Sequence, residues 1–343
     1  MTRTETQMRA EISEIPAAVE RLLTEGEADA HRVARAIVQA DPRFVVTVAR
    51  GSSDHVCTYL KYAFELMLGL PVASIGPSVA SVYNAPLKLE NSLCLSVSQS
   101  GKSPDIVALA QSARTAGSYS VAITNDSQSP LATCASARLD IHAGPEQSVA
   151  ATKTFVTSAV AGLRLVAFLS KDADLQRSIV DLPETLDRAL QADWSPLFDA
   201  IQGGSLYTIG RGPAVAIANE AALKLKETCQ IHAESYSSAE ILHGPVSIVD
   251  DGFAILAFAA SDAAESAVTQ VADSLADSGA RAFLTSTTQS GPAIRLPTIR
   301  SGHWLTDSVA LIVSFYSLVE QLAAQRGLDP DKPRNLNKVT ETV

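Results

Sequence analysis

The strongest constraint on this chain is an internal repeat. Shifting the 343-residue sequence by 161 positions lays Arg50-Gly51 on Arg211-Gly212 and residues 95–97 on residues 256–258. The same shift lays Val121-Ala122-Ile123-Thr124 on Ala282-Phe283-Leu284-Thr285. Three strand–loop units in phase over that distance predict two similarly folded domains in tandem. Within each copy, short apolar runs such as Phe44-Val45-Val46-Thr47-Val48 and Leu93-Cys94-Leu95-Ser96-Val97 alternate with helical segments, at 56–68 and about 105–115. That alternation predicts an α/β fold: parallel βαβ units with helices on both faces of each sheet.

Around the repeat, Ile12, Ile15, Val19 and Leu22 recur at helical spacing, as do Val33, Ile37 and Val38. The predicted organisation is an N-terminal helical segment (1–40), a first domain (41–170), a helical connector (171–195), a second domain (196–328) and a C-terminal tail (329–343). The tail, Asp329-Pro330-Asp331-Lys332-Pro333-Arg334-Asn335, has two prolines and no periodicity, so it must dock on something to be ordered.

Composition narrows the partners. The 27 basic and 37 acidic residues leave a formal charge of −10, which disfavours a surface that tracks nucleic acid but not a pocket for one small anion. An apolar content of 46% with 19% charged residues is globular and argues against disorder. Cys57, Cys94, Cys134 and Cys229 are widely spaced, so neither a disulfide framework nor a structural zinc site is expected, and a reducing cytoplasm is. Met1-Thr2-Arg3-Thr4-Glu5 lacks the apolar core of a signal peptide. Residues 151–169 are interrupted by Lys153 and Arg164, so no membrane span is expected.

The repeat is informative because it is imperfect. The first copy has Ser98-Gln99-Ser100-Gly101-Lys102-Ser103 after its strand; the second has Ala259-Ala260-Ser261-Asp262-Ala263-Ala264. The hydroxyl-rich loop is therefore not required by the fold. It lies at the carboxyl end of a strand and leads into a helix, with Pro104 in the first turn, where ligands of parallel sheets bind and unpaired amides favour anions. Gly51-Ser52-Ser53 offers a second set of donors. Taken singly, Ser53 or Ser103 is an ordinary helix cap. The two clusters together point to a phosphate monoester.

A second constellation is Asn219-Glu220-Ala221-Ala222-Leu223-Lys224-Leu225-Lys226-Glu227, whose Glu220, Lys224 and Glu227 share one helical face. A solvated salt-bridge stripe is the ordinary explanation. Against it stand the preceding strand end with Gly210-Arg211-Gly212 and the continuation into Ile231-His232-Ala233-Glu234-Ser235-Tyr236. A carboxylate and an ammonium side by side at a pocket can transfer protons. Gly210-Arg211-Gly212-Pro213 imitates part of a dinucleotide fingerprint but lacks its third glycine, so no nicotinamide cofactor is expected. His243-Gly244-Pro245, in a loop after Glu240, and the tail residue Lys338 are not singled out by spacing.

Together, Gly51-Ser52-Ser53, Ser98-Gln99-Ser100-Gly101, E-Q-S-V-A-A-T-K (146–153), E-A-A-L-K-L-K-E (220–227), His243-Gly244-Pro245 and Pro333-Arg334-Asn335-Leu336 resemble the sugar isomerase (SIS) family. The match runs in order from about residue 10 to the C-terminus. It is similar to the isomerase half of the glucosamine-6-phosphate synthases and, in length and ending, to the stand-alone SIS-type glucosamine-6-phosphate deaminases. The resemblance implies two SIS domains, each a flavodoxin- or Rossmann-like parallel sheet flanked by helices. The synthases begin with a glutaminase domain whose nucleophile is an N-terminal cysteine. Residue 2 here is Thr and the isomerase-like part starts almost at once, so glutamine is not the expected nitrogen source.

Carried over by motif, the resemblance assigns phosphate binding to Ser52, Ser53, Ser98, Gln99, Ser100 and Ser103, with Gly51 and Val149 lining the site by backbone. Ser52 and Ser103 stand where Thr is usual, and Lys102 where Glu is, which adds positive charge near the anion. Glu220 would contact the substrate. His243 would open the sugar ring, reaching the site from the partner subunit of a homodimer. Glu227 would shuttle a proton between C2 and C1, with Lys224 at the C1 oxygen. Lys338 would close the tail over the sugar and could form a Schiff base. Asn337 replaces the usual Ala and would alter that contact. The implied reaction converts glucosamine 6-phosphate to fructose 6-phosphate and ammonia, with no metal or cofactor. The family also contains fructosamine-6-phosphate deglycases, galactosamine-6-phosphate deaminases and non-catalytic sugar-phosphate sensors. A repressor-type sensor should carry a basic helix-turn-helix, and only some 40 helical residues precede the first strand.

Overall fold

A computed structural model of the chain describes residues 5–288 and 291–338. The opening residues 1–4, read above for a signal peptide, and the ending 339–343 lie outside the described residues.

Among the described residues, ten strands form two five-stranded, wholly parallel sheets. The first contains β1 (Phe44–Val48), β2 (Val72–Ser74), β3 (Ser92–Val97), β4 (Tyr119–Thr124) and β5 (Ala137–Asp140), in the order β2-β1-β3-β4-β5. The second contains β6 (Ser205–Gly210), β7 (His232–Ser237), β8 (Ala254–Phe258), β9 (Arg281–Leu284) and β10 (Ile294–Arg295), in the order β7-β6-β8-β9-β10. Both are the flavodoxin-like arrangement, with a switch point between the first and third strands of each copy.

The 161-residue spacing extends beyond the segments matched in sequence. It carries β2 onto β7, the helix Ser52–Leu68 onto Ala214–Cys229, and the helix Pro104–Thr115 onto Glu265–Asp277. The phase is lost only after β4 and β9. One segment departs from the sequence expectation. Residues 232–237 do not continue the helix before them but form the edge strand β7, paired with β6. Gln230 adopts a left-handed conformation at φ 53°, and the Ile231 amide donates back to the Leu225 carbonyl at 3.2 Å, which closes the helix and redirects the chain.

The chain divides into two compact units. Of the described residues, one comprises 5–16, Gln147–Thr152 and Asp181–Leu336; the other comprises Ala17–Glu146, Lys153–Val180 and 337–338. In the latter, Val46, Val48, Cys94 and Ala122 of the sheet pack with Leu109 and Ala113 of the helix Pro104–Thr115. In the former, Tyr207, Ile209, Ile255 and Ala257 pack with Val268 and Ala272 of the helix Glu265–Asp277. The helices Lys153–Ser170 and Trp304–Gln325 are long and apolar enough to cross a membrane by length and composition. Most of each is buried within the protein, as in a core helix. All four cysteines are unpaired.

Within the tail, Asp331 is anchored. The Asp331 carboxylate accepts from the amides of Gln7 (2.9 Å) and Met8 (2.7 Å), at the open N-terminus of the helix Gln7–Ser13. Its carbonyl accepts from the Val149 amide at 3.2 Å. An anion at a helix N-terminus is the favourable end for a negative charge.

Candidate active site

Each unit holds one constellation. In the unit of the first sheet, the loops after β1 and β3 lie at neighbouring strand ends, and each opens a helix. Gly51, at φ 56°, precedes the helix that begins at Ser52, so Ser53 lies inside the first turn rather than at its cap. Ser103 occupies the N-cap of Pro104–Thr115 but makes no side-chain capping hydrogen bond, so the ordinary capping role is not the one it fills.

The loop between them is a compact turn. Ser98 Oγ accepts from the Gly101 amide (3.2 Å) and Ser100 Oγ from the Lys102 amide (3.3 Å). The Gln99 carbonyl accepts from the Asn125 amide and from Thr124 Oγ1, which braces the turn against the end of β4. Gly101 is at φ +62°, and a Cβ there would overlap the Ser129 hydroxyl, so only glycine fits. Ser98 is buried, whereas Gln99, Ser100 and Ser103 are partly exposed. Lys102 points its charge to Asp126 (3.5 Å) on the surface.

Sequence reasoning missed the clamp that holds the two loops together. Arg50, just before Gly51, pairs with Asp105, in the first turn of Pro104–Thr115. Asp105 is fully buried while the Arg50 side chain is 47% exposed. The pair could not be read from sequence because 55 residues separate its partners.

In the same unit, Glu146 opens the E-Q-S-V-A-A-T-K motif from a fully buried position. Its carboxylate accepts from the Thr154 amide (3.0 Å), Thr154 Oγ1 (2.6 Å) and the Lys338 ammonium (2.9 Å). Burial pushes the Glu146 carboxyl up, but the Lys338 charge and the Thr154 hydrogen bonds outweigh it and hold the group below its ordinary value. Lys338 is therefore an ion-paired residue, and Asn337 beside it is exposed. Val149, expected at the phosphate by its backbone, belongs to the unit of the second sheet, where its amide donates to the Asp331 carbonyl of that same unit.

In the unit of the second sheet, the helix Ala214–Cys229 follows β6 so closely that a Cβ on Gly210 would stand 2.5 Å from the Ala214 carbonyl oxygen. That contact accounts for the first glycine of the apparent dinucleotide fingerprint. Glu220, Lys224 and Glu227 share one face as expected, but not a solvated one. Glu220 and Lys224 have no exposed side-chain surface, and Glu227 retains 21%. The Lys224 ammonium bonds to Glu227 Oε2 and lies 3.4 Å from Glu220 Oε1. Tyr316 donates its hydroxyl to Glu220 Oε1 at 3.1 Å, a contact with no signal in the sequence. Burial alone would lower the Lys224 pKa; the two carboxylates reverse this and hold it above its ordinary value. The arrangement is a charged ammonium with one sealed and one reachable carboxylate.

His243 ends the short 3-10 turn Glu240–His243 and is exposed. Its apolar neighbours Leu242 and Ile248 are 52% and 56% exposed.

Comparison with known proteins gives consistent relatives. The SIS domain family model matches residues 39–167 and 201–324. The glutamine–fructose-6-phosphate aminotransferase (isomerizing) of Sulfolobus acidocaldarius is 32% identical over 311 residues, which cover 87% of this chain and 50% of that protein. Its namesake from Symbiobacterium thermophilum is 32% identical over 317 residues, covering 86% and 51%. The chain thus spans about half the length of these relatives. Among solved structures, a Silicibacter pomeroyi protein provisionally named a phosphosugar isomerase superposes with a TM-score of 0.92 at 60% identity, covering 95% of this chain and all of that one. The glucosamine-6-phosphate deaminase of Thermotoga maritima superposes at 0.78 with 18% identity, covering 98% of this chain and 100% of that one, a likeness of fold.

Proposed function

The chain belongs to the SIS domain family, and from that premise we propose that it is a phosphosugar isomerase that deaminates glucosamine 6-phosphate to fructose 6-phosphate and ammonia. The observation that carries the reading is the Glu220–Lys224–Glu227 group. A lysine buried and kept charged by two carboxylates, one of them reachable, suits proton transfer next to a sugar carbonyl.

In the proposed reaction the ring opens to an aldehyde, which acidifies the C2 proton. Glu227 removes that proton to give an enolamine and returns it to C1, while the Lys224 ammonium stabilises the C1 oxygen. Water then hydrolyses the C2 imine, releasing ammonia and leaving the ketose. Glu220, tied by the Tyr316 hydroxyl and paired with the Lys224 ammonium, is assigned to holding Lys224 rather than to touching the sugar. The hydroxyls of Ser52, Ser53, Ser98, Ser100 and Ser103, with Gln99 and the backbone of Gly51, are assigned to the phosphate. The carry-over from family motifs adds Val149 by its backbone and Asn337 beside the sugar, although the Val149 amide is held by Asp331 in this structure.

Lys338, held by Glu146, acts in this scheme as a fixed positive charge. A Schiff-base role would require that ion pair to break and the amine to lose its proton. His243 is assigned to ring opening, donated across a homodimer interface. The exposed Leu242 and Ile248 beside it suit a surface that a second subunit covers.

The test is ammonia release across a panel of amino-sugar 6-phosphates and fructosamine 6-phosphates, with exchange of the C2 hydrogen followed in deuterated water. Release from glucosamine 6-phosphate with C2 exchange, both lost in Glu227→Gln, supports the reading. Cleavage confined to fructosamine 6-phosphates would replace it with deglycation.

A further inference from the structure

We propose that the second sheet carries an anion-binding crevice of its own, filled from within by the Asp307 carboxylate, and that this crevice takes a small monocarboxylate once that side chain is removed. The repeat locates it. The loop 259–264 follows β8 and opens the helix Glu265–Asp277, just as 98–103 follows β3 and opens Pro104–Thr115. Only one hydroxyl of the first loop survives at an equivalent place in the second: Ser261, which the 161-residue shift pairs with Ser100. That residue grips an anion. Its amide (3.2 Å) and its hydroxyl both donate to Asp307 Oδ2.

The other carboxylate oxygen is held as fully. Asp307 Oδ1 accepts from the Ser301 amide (2.7 Å) and the Ser301 hydroxyl (2.8 Å). The Arg300 guanidinium stands 3.5 Å from Oδ2 and is fixed by the carbonyls of Ala259 and Thr285 and by Glu265 (3.0 Å). Asp307 is completely buried. Two amides, two hydroxyls and a guanidinium around one carboxylate make an anion cradle rather than a chance surface pair. A tethered anion meets this cradle at a far higher effective concentration than any free one. Of the two copies, one would therefore be open to a ligand and the other occupied by the chain itself. The proposal stands independently of the reaction assigned above.

Asp307→Ala removes a group of the size and charge of formate. The expected result is a variant with a lowered Tm that formate raises saturably by a few degrees, on the order of what ligand linkage gives a protein of this size. Chloride at equal ionic strength should not reproduce the rise, and the wild-type Tm should not respond. Asp307→Asn fills the space without the charge, so its Tm should fall and formate should not restore it. If Asp307→Ala does not accumulate folded, its refolding yield from urea with and without formate gives the same reading. The proposal is overturned if formate affects Asp307→Ala no more than wild type, or if Asp307→Asn keeps the wild-type Tm.

Discussion

Lys224 sits between a carboxylate it needs for stability and one the proposed chemistry needs, and substitutions should separate the two. Lys224→Met strands the sealed Glu220 carboxylate and should cost about 3–5 kcal/mol in urea denaturation. Glu227→Gln, at the partly exposed end, should leave the Tm near wild type while lowering kcat for ammonia release by roughly 10²–10⁴. Glu146 makes a pH prediction. Its folded-state pKa lies below the ordinary carboxyl value of 4.5, so its contribution to stability is complete above that pH and is lost as pH falls through the depressed value. Wild type should therefore show an acid limb of stability loss below about pH 4.5 that is shallower in Glu146→Gln, measured by denaturation at a series of pH values. Lys224 acts in the opposite direction. Its raised pKa gives stability that is complete below 10.5 and lost as pH rises through the higher folded value.

Among the elements, the loops after β1 and β3 behave as one part because Arg50 and Asp105 join them. Removing the arginine leaves a buried carboxylate unpaired, but half of the Arg50 side chain is already in water, which reduces the loss. Arg50→Met should cost about 1–3 kcal/mol and raise KM for a phosphosugar while leaving kcat nearly unchanged, which steady-state kinetics would separate. The hydroxyl loop and the turn glycine were legible in sequence because they are local: a strand end, a run of serines and a helix start are adjacent in the chain. The clamp was not, because β2 and its helix intervene between strands that are neighbours only in the sheet. The strand β7 was missed for a related reason. A mixed polar segment, His232-Ala233-Glu234-Ser235-Tyr236-Ser237, reads as a strand only when β6 offers it an edge.

At the scale of the whole molecule, the proposed donation of His243 between subunits makes a quantitative prediction. After subunit exchange between His243→Ala and Glu227→Gln chains, half of the dimers are mixed, and each has one site with both groups intact. About a quarter of wild-type activity should reappear; a mixture as inactive as its parents would place His243 and Glu227 of one chain in the same site. The sequence alone determined that the chain is a duplicated parallel α/β protein and which copy kept the hydroxyl loop, since strand runs, helical periodicity and turn residues are properties of neighbours in the chain. Tertiary structure alone decided which charges are sealed. The burial of Glu220, Lys224 and Asp307, the tie from Tyr316 and the capture of Lys338 by Glu146 all depend on elements brought together from distant parts of the chain. Burial is what separates a solvated charge stripe from a proton-transfer group, and no spacing rule contains it.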